Sequence, residues 1–133
     1  MKYVTGIHAL NLNCDLDTTG DWHTSSLDWN NITWKNTETA FFGEYGIFKT
    51  AVPNHTGTVL AANHIRAILD LLYDRNFSVA QGMCNDYICN DKYNITIFEK
   101  VYSMHVLPYW NEIDNFMEKE YKLRWLLWKD TNK

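Results

Sequence analysis

The residues best suited to chemistry lie close together near the beginning of this sequence. His, Cys and carboxylate side chains serve as nucleophiles, general bases and ligands of transition metals. The set consists of His8, Cys14, Asp15, Asp17, Asp21 and His23. All of them lie in or beside residues 11–20, where the many Asn, Asp and Thr residues and a Gly are typical of a loop.

The ligand types in this loop suit zinc or another transition metal, but their spacing matches no metal-binding motif. The sequence has no two histidines separated by three residues and no two cysteines separated by two. The simpler interpretation is that Asp15, Asp17 and Asp21 cap turns, while His8 and His23 form hydrogen bonds near the edge of the core. We therefore predict neither a resident metal nor a cofactor.

A histidine outside the loop, His64, suits general acid or base chemistry if a carboxylate such as Asp21 or Glu44 orients it. Together with His8, Asp21 and His23 it would form the catalytic group of a small hydrolase or nuclease, assisted by a divalent metal. In the competing interpretation His64 is a buried residue that only forms hydrogen bonds, because it lies at the rim of an apolar stripe.

The cysteines allow one further chemical interpretation. Cys14 would act as a nucleophile for acyl transfer if the imidazole of His8 or His23 activated its thiol. Because Cys14, Cys84 and Cys89 are odd in number, free thiols in a reducing compartment explain them more simply than a disulfide framework.

The element that must organise these residues is a helix predicted over residues 59–72. Its apolar residues recur at steps of three and four, so the helix buries one continuous stripe. Arg66 and Asp70 lie one turn apart on the opposite side, where such a pair stabilises a helix. Thr58 is the predicted N-cap, and Asn76 tolerates the left-handed backbone that ends a helix.

The remaining segments predict an α+β fold: a small N-terminal antiparallel sheet packed by about three C-terminal helices, in a single globular domain over residues 1–133. Strands are predicted over residues 3–10 and 32–34, and residues 41–48 are predicted to form a strand, a tight turn and another short strand. The last helix is predicted over residues 110–128 and is apolar over a broad arc, which implies burial on two sides or a partner.

Aromatic residues on that last helix predict a protein interface. Aromatic side chains dominate interface energetics because they bury a large area with few rotors to immobilise. The candidate interface residues are Trp110, Trp125, Trp128 and Glu118, and a homodimer through this helix is one form that the interface could take. In the competing interpretation the tryptophans fill the core of a small domain.

Charge and hydropathy exclude several function classes. The net charge is −4 and the basic residues are scattered up to residue 119, so no patch follows a phosphate backbone, and nucleic-acid binding is disfavoured. An acidic surface suits a protein partner with a basic face. No segment has the apolar run of a signal peptide or of a membrane span, so we predict a cytoplasmic protein without membrane association.

Several short segments carry a resemblance that extends over nearly the whole chain. They are MKYVTGIHALNL at residues 1–12, GDWH at 20–23, FGEYGI at 42–47, NHIRA at 63–67, AQGM at 80–83 and ICND at 88–91. In these segments the chain resembles a family of small bacterial proteins encoded on mobile elements beside abortive-infection nucleotidyltransferase toxins. The chain departs from the family at Thr19 and Asn13, and Thr19, where the family has a cysteine, counts against thiol chemistry or a structural metal in the loop.

The resemblance implies a role in toxin–antitoxin or phage-defence systems. With the acidic charge and the aromatic content of 15%, it leads to the prediction of an interaction protein that binds and occludes a protein partner in toxin–antitoxin, phage-defence or counter-defence systems. The alternative remains a small metal-assisted hydrolase or nuclease that uses His8, Asp21, His23 and His64.

Overall fold

A computed structural model describes residues 1–21 and 23–132, so Trp22 and Lys133 lie outside the described residues. The chain forms a four-stranded sheet and a set of helices that lie mainly after it. The strands are β1 (Lys2–Val4), β2 (Trp34–Asn36), β3 (Ile47–Thr50) and β4 (Val59–Ala62). The α-helices are α1 (Gly6–Leu10), α2 (His64–Tyr73), α3 (Phe77–Ala80), α4 (Asn94–Tyr102), α5 (Trp110–Tyr121) and α6 (Leu123–Asn132).

The predicted α+β class, with a sheet near the N-terminus and helices after it, is confirmed. The strand order is β2-β1-β4-β3. The outer pairs are antiparallel, as predicted, but the central pair β1 and β4 is parallel, with Val4 opposite Ala61. Each of these two strands leads directly into a helix, and the two helices, α1 and α2, pack against each other. With one parallel and two antiparallel pairs, the sheet is mixed.

The central helix is shorter than predicted, because residues 59–62 form β4 and the helix begins at His64. An apolar run of four residues fits a buried strand as well as a helix turn. Asn63 rather than Thr58 caps the helix, since its side chain accepts a hydrogen bond from the Arg66 backbone N–H at 2.9 Å. The helix ends at Tyr73, and the left-handed residue after it is Arg75.

The first predicted strand is also shorter, because it ends at Val4 and a short helix follows. Gly6, the first residue of α1, has a positive φ of 63°. This left-handed backbone turns the chain out of the sheet and suits a residue without a side chain. The candidate residue His8 is therefore on a helix rather than on a strand.

The predicted last helix is two helices, α5 and α6, separated by Lys122 with a φ of 55°. After this break α6 folds back so that Trp125 packs on the rings of Phe98 in α4 and Trp110 in α5. The broad apolar arc of the sequence thus reflects two helices that each bury one face. Among the described residues no helix is long and apolar enough to cross a membrane.

The polar pair predicted for the solvent side of α2 is in fact buried. Arg66 is fully buried and its Nε donates to the Asp70 carboxylate at 3.1 Å. The other carboxylate oxygen accepts from the hydroxyls of Tyr3 at 2.7 Å and Thr5 at 2.6 Å. The guanidinium also donates to the Tyr3 hydroxyl and to the Tyr45 carbonyl. This network, which we call the Arg66 network, ties α2 to β1 and to the turn before β3.

Removing Asp70 tests the Arg66 network. In Asp70→Ala the guanidinium stays buried without its counter-charge, so we expect the free energy of unfolding to fall by about 3–5 kcal/mol in urea denaturation. The matched control is Glu112→Ala, because Glu112 pairs with Arg75 and both side chains are about half exposed. We expect that control to lose about 1 kcal/mol or less. Equal losses in the two variants would show that the buried network does not hold α2 to the sheet.

Candidate functional site

The loop after α1 folds over the N-terminal end of α2 and encloses His64. Backbone hydrogen bonds fix the far end of the loop, since the Gly20 N–H donates to the Tyr87 carbonyl and the Asp21 N–H donates to the Leu10 carbonyl. Gly20 has a φ of +72°, and a Cβ at this position would lie 2.8 Å from the His64 ring. Only glycine therefore lets the loop lie directly against the imidazole.

Both ring nitrogens of His64 are held inside the protein, and the residue is only 1% exposed. Nε2 lies 2.7 Å from the Leu12 carbonyl oxygen, and Nδ1 lies 2.6 Å from the Thr18 hydroxyl oxygen. Because a carbonyl oxygen only accepts, Nε2 carries a proton. Nδ1 then accepts from Thr18 when the ring is neutral and donates to Thr18 when the ring is charged.

Cys14 joins this arrangement through Thr18. Its Sγ lies 3.4 Å from the Thr18 hydroxyl oxygen and accepts from the Leu16 backbone N–H at 3.4 Å. Burial acts to raise the pKa of the thiol, but hydrogen bonding to His64 and Thr18 lowers the pKa below its ordinary value. We call Cys14, Thr18 and His64 the thiol relay. It links the thiol to the buried imidazole through the threonine hydroxyl.

Asp21 and Glu44 were the carboxylates predicted to orient His64. Neither contacts its ring nitrogens, whose partners are Leu12 and Thr18.

The pKa of His64 is raised above its ordinary value. Burial acts to lower this pKa, but the interaction with Cys14 and the negative charge of Asp15 raise it. The pKa shifts of Cys14 and His64 are thus in the directions that stabilise a thiolate and a charged imidazole.

Asp21 and His23 form a separate pair at the surface. The His23 Nδ1 lies 3.1 Å from the Asp21 carboxylate, and the His23 side chain is 69% exposed. The buried Asn11 positions both residues, since its amide donates to Asp21 and its oxygen accepts from the His23 backbone N–H. The pair faces a cleft of about 480 Å³ that Asp86 and Cys89 also line.

His8 takes part in neither arrangement. Its Nε2 lies 3.0 Å from the Asp28 carbonyl, and its ring meets the ring of Trp29 edge to face at 5.0 Å. His8 is therefore a satisfied residue at the edge of the core, as the simpler interpretation of the sequence predicted. Within residues 1–21 and 23–132, no three His, Cys, Asp or Glu side chains are grouped to hold a metal ion.

The structure places the four predicted interface residues in different environments. Trp125 is fully buried against Phe98, so the prediction that it anchors an interface is wrong, because the fold-back of α6 turns it into the core. Trp110 and Trp128 are half-buried, and Glu118 is exposed on α5.

The exposed apolar residues of α6 are leucines, and the sequence pattern did not predict that they lie at the surface. They are Leu123, Leu126 and Leu127 at 63%, 38% and 58% exposure. The signal available in the sequence was their spacing of three and four residues, which places them on one face of a helix. The broad apolar arc of the predicted helix includes Leu123 and Leu127, and that arc implied either burial on two sides or a partner.

Adding a methyl group at Gly20 tests the close packing of the loop on His64. In Gly20→Ala the new Cβ meets the Leu10 carbonyl and the His64 ring, so we expect a loss of about 1–3 kcal/mol in the free energy of unfolding beyond the backbone strain. The control is Gly57→Ala, whose φ of +73° gives the same strain with nothing within 4 Å of its Cβ. The idea fails if the two variants lose the same free energy in urea denaturation.

The raised pKa of His64 predicts a pH dependence of stability. A raised folded-state pKa stabilises the protein fully below the unfolded value of 6.5, and this stabilisation is lost as the pH rises through the folded-state pKa. We expect the Cε1 proton of His64 to titrate above pH 6.5 in NMR spectra. In Cys14→Ala its pKa should fall, because the interaction that raises it is gone. An unchanged titration would mean that Cys14 and His64 do not interact.

Neither a family model, nor a curated protein, nor a solved structure matches the chain. Its function is therefore inferred from the contacts of its own residues. Two features stand out from the rest of the surface and core: the thiol relay over α2 and the exposed leucines of α6.

Proposed function

We propose that the chain is a cytoplasmic interaction protein of a bacterial mobile element, which binds and occludes a protein partner in a toxin–antitoxin, phage-defence or counter-defence system. The observation that carries the proposal is the row of exposed leucines on α6: Leu123, Leu126 and Leu127, here called the leucine face. The genomic setting comes from the resemblance of the sequence, and the mode of action comes from this face.

The leucine face is displayed on a firmly anchored helix. On the inner side of α6, Trp125 and Trp128 stack at 5.8 Å, and both pack against Phe98. The indole of Trp125 donates to Asp114, and Lys129 forms an ion pair with the same carboxylate. Because these contacts fix the helix, a partner meets the leucines already in position and little ordering entropy opposes binding.

The shape of the leucine face indicates the kind of partner. Three leucines on one helix form a narrow convex ridge, which covers far less than the roughly 800 Å² that each side of a stable interface buries. A flat symmetric contact between two copies of this ridge would therefore be small. A partner with an apolar groove would bury the ridge on three sides, as in other helix-in-groove complexes.

Charge adds a preference among such partners. The net charge of −4 belongs to the whole chain and attracts a protein with a basic surface, which speeds the encounter. This is the charge pattern predicted from the sequence, now combined with an apolar anchor. Glu118, predicted as an interface residue, is exposed on α5.

The contacts of the histidines favour this proposal over the metal-assisted hydrolase or nuclease. His8 and His64 are buried with their ring nitrogens occupied, whereas His23 is at the surface with Asp21. A metal-assisted reaction needs such groups to converge on one reacting atom. In this structure the four residues face three different environments.

Truncating the leucine face tests the proposal. The chain is expressed with the protein encoded by the neighbouring gene, and the dissociation constant of the purified pair is measured by calorimetry. We expect Leu127→Ala to weaken binding about 30-fold, as for a hot-spot residue worth about 2 kcal/mol. Val106→Ala is the matched control, because Val106 is 68% exposed but lies outside α6. It should leave binding and the inhibition of the partner unchanged.

Three results would contradict the proposal. The pair does not form a complex, or the complex forms without changing the activity of the partner, or Leu127→Ala and Val106→Ala have the same effect. A homodimer that Leu127→Ala dissociates, with no loss of partner binding, would assign the leucine face to self-association instead.

A further inference from the structure

We propose that Cys14 is a peroxide-reactive cysteine whose sulfur attacks a small hydroperoxide, while Thr18 and His64 deliver a proton to the leaving oxygen. The proposal is independent of the leucine face and adds a chemical activity to the protein. It rests on the contacts of the thiol relay, which bring three residues from two distant segments of the chain to one point.

The sulfur has the surroundings that a reactive thiolate needs. Sγ accepts from the Leu16 backbone N–H and lies equally far, 3.4 Å, from the Thr18 hydroxyl, which donates to it when His64 is charged and its Nδ1–H donates to Thr18. The charged form of His64 supplies positive charge behind Thr18, because Nδ1 lies 2.6 Å from the threonine oxygen. Hydrogen bonds and a nearby cation stabilise the thiolate, which is the nucleophilic form of cysteine.

The relay also provides a proton for the leaving group. The thiolate attacks one peroxide oxygen, so that an S–O bond forms and the O–O bond breaks. The sulfur is oxidised by two electrons to a sulfenic acid, and the peroxide is reduced to an alkoxide or hydroxide. That anion takes a proton from the Thr18 hydroxyl, which is replenished from Nδ1 of the charged His64. The ring ends neutral, with its remaining proton on Nε2 against the Leu12 carbonyl.

Access to the sulfur favours a small reactant. Cys14 is half-buried, and it does not line the cleft of about 300 Å³ that Leu12, Asn13 and Thr19 form in the same loop. A peptide or a long acyl chain would need a groove that includes the sulfur. Hydrogen peroxide and small organic hydroperoxides need only an exposed edge of the atom.

The other two cysteines have different surroundings and serve as internal standards. Burial raises the pKa of the Cys84 thiol, even though an Arg124 nitrogen lies 3.2 Å from its sulfur. Cys89 is exposed, and its thiol donates to the Asn85 carbonyl at 2.6 Å. We therefore expect Cys14 to react first, although it is less exposed than Cys89.

The experiment treats the full chain with hydrogen peroxide near pH 7, traps sulfenic acid with dimedone and measures each cysteine by mass spectrometry. We expect Cys14 to be labelled at least tenfold faster than Cys84 or Cys89. Thr18→Val removes the hydroxyl, so it should slow labelling about tenfold and move the pH profile of the rate upward. Thr18→Ser keeps the hydroxyl and should restore both values. Two charged groups act on this pH profile: His64, which is part of the relay, and Asp15, whose negative charge acts on His64.

Two outcomes would overturn the proposal. Cys89 is labelled as fast as Cys14, which would mean that exposure alone governs reactivity. Alternatively, Thr18→Val folds normally, with the circular dichroism of the wild type, and Cys14 keeps its rate and pH profile, which would show that the relay is structural only.

Discussion

The buried guanidinium of Arg66 is the constraint on which the rest of the structure depends. A fully buried charge needs hydrogen-bond partners, and each of the three guanidinium nitrogens has one from a different part of the chain: Tyr3 on β1, Asp70 on α2 and the Tyr45 carbonyl before β3. Satisfying Arg66 therefore fixes the position of α2 relative to the sheet. His64 lies two residues earlier on the same helix, so the surface on which the first loop folds is fixed as well.

The sequence carried enough information for the class of the fold and for the helical character of residues 64–72, because apolar residues at steps of three and four fit a helix and do not fit a strand. It also showed Arg66 and Asp70 at a spacing that forms an ion pair. It could not show that the pair is buried, since the Thr5 hydroxyl that Asp70 requires is 65 residues away in the chain. For the same reason the pattern predicts a helix over residues 59–62: only the presence of β1 and β3 on either side makes them a strand.

The candidate site was predictable in its residue types but not in its partnerships. Cys14 and His64 are both chemically capable residue types, yet the sequence pairs Cys14 with the nearby His8 or His23. The observed partner is His64, which lies 50 positions away from Cys14 in the sequence. Thr18 bridges the two side chains, and no sequence motif marks this threonine. That Thr19 counts against thiol chemistry in the loop stays a prediction. The relay uses the neighbouring Thr18 instead. On α6, the turn at Lys122 decided which aromatic and aliphatic residues face the core, and a non-glycine residue with positive φ gives no signal in the sequence.

The position of β1 between β2 and β4 has a consequence for how the chain acquires its structure. β1 is an inner strand that is synthesised before both of its neighbours, and one of them is made more than fifty residues later. Until then its backbone groups on that side have no native acceptor or donor, and the nascent segment must stay open to chaperones or to incorrect association. Because the centre of the sheet joins segments that are distant in the chain, we expect a slow, late folding step rather than stepwise folding during translation.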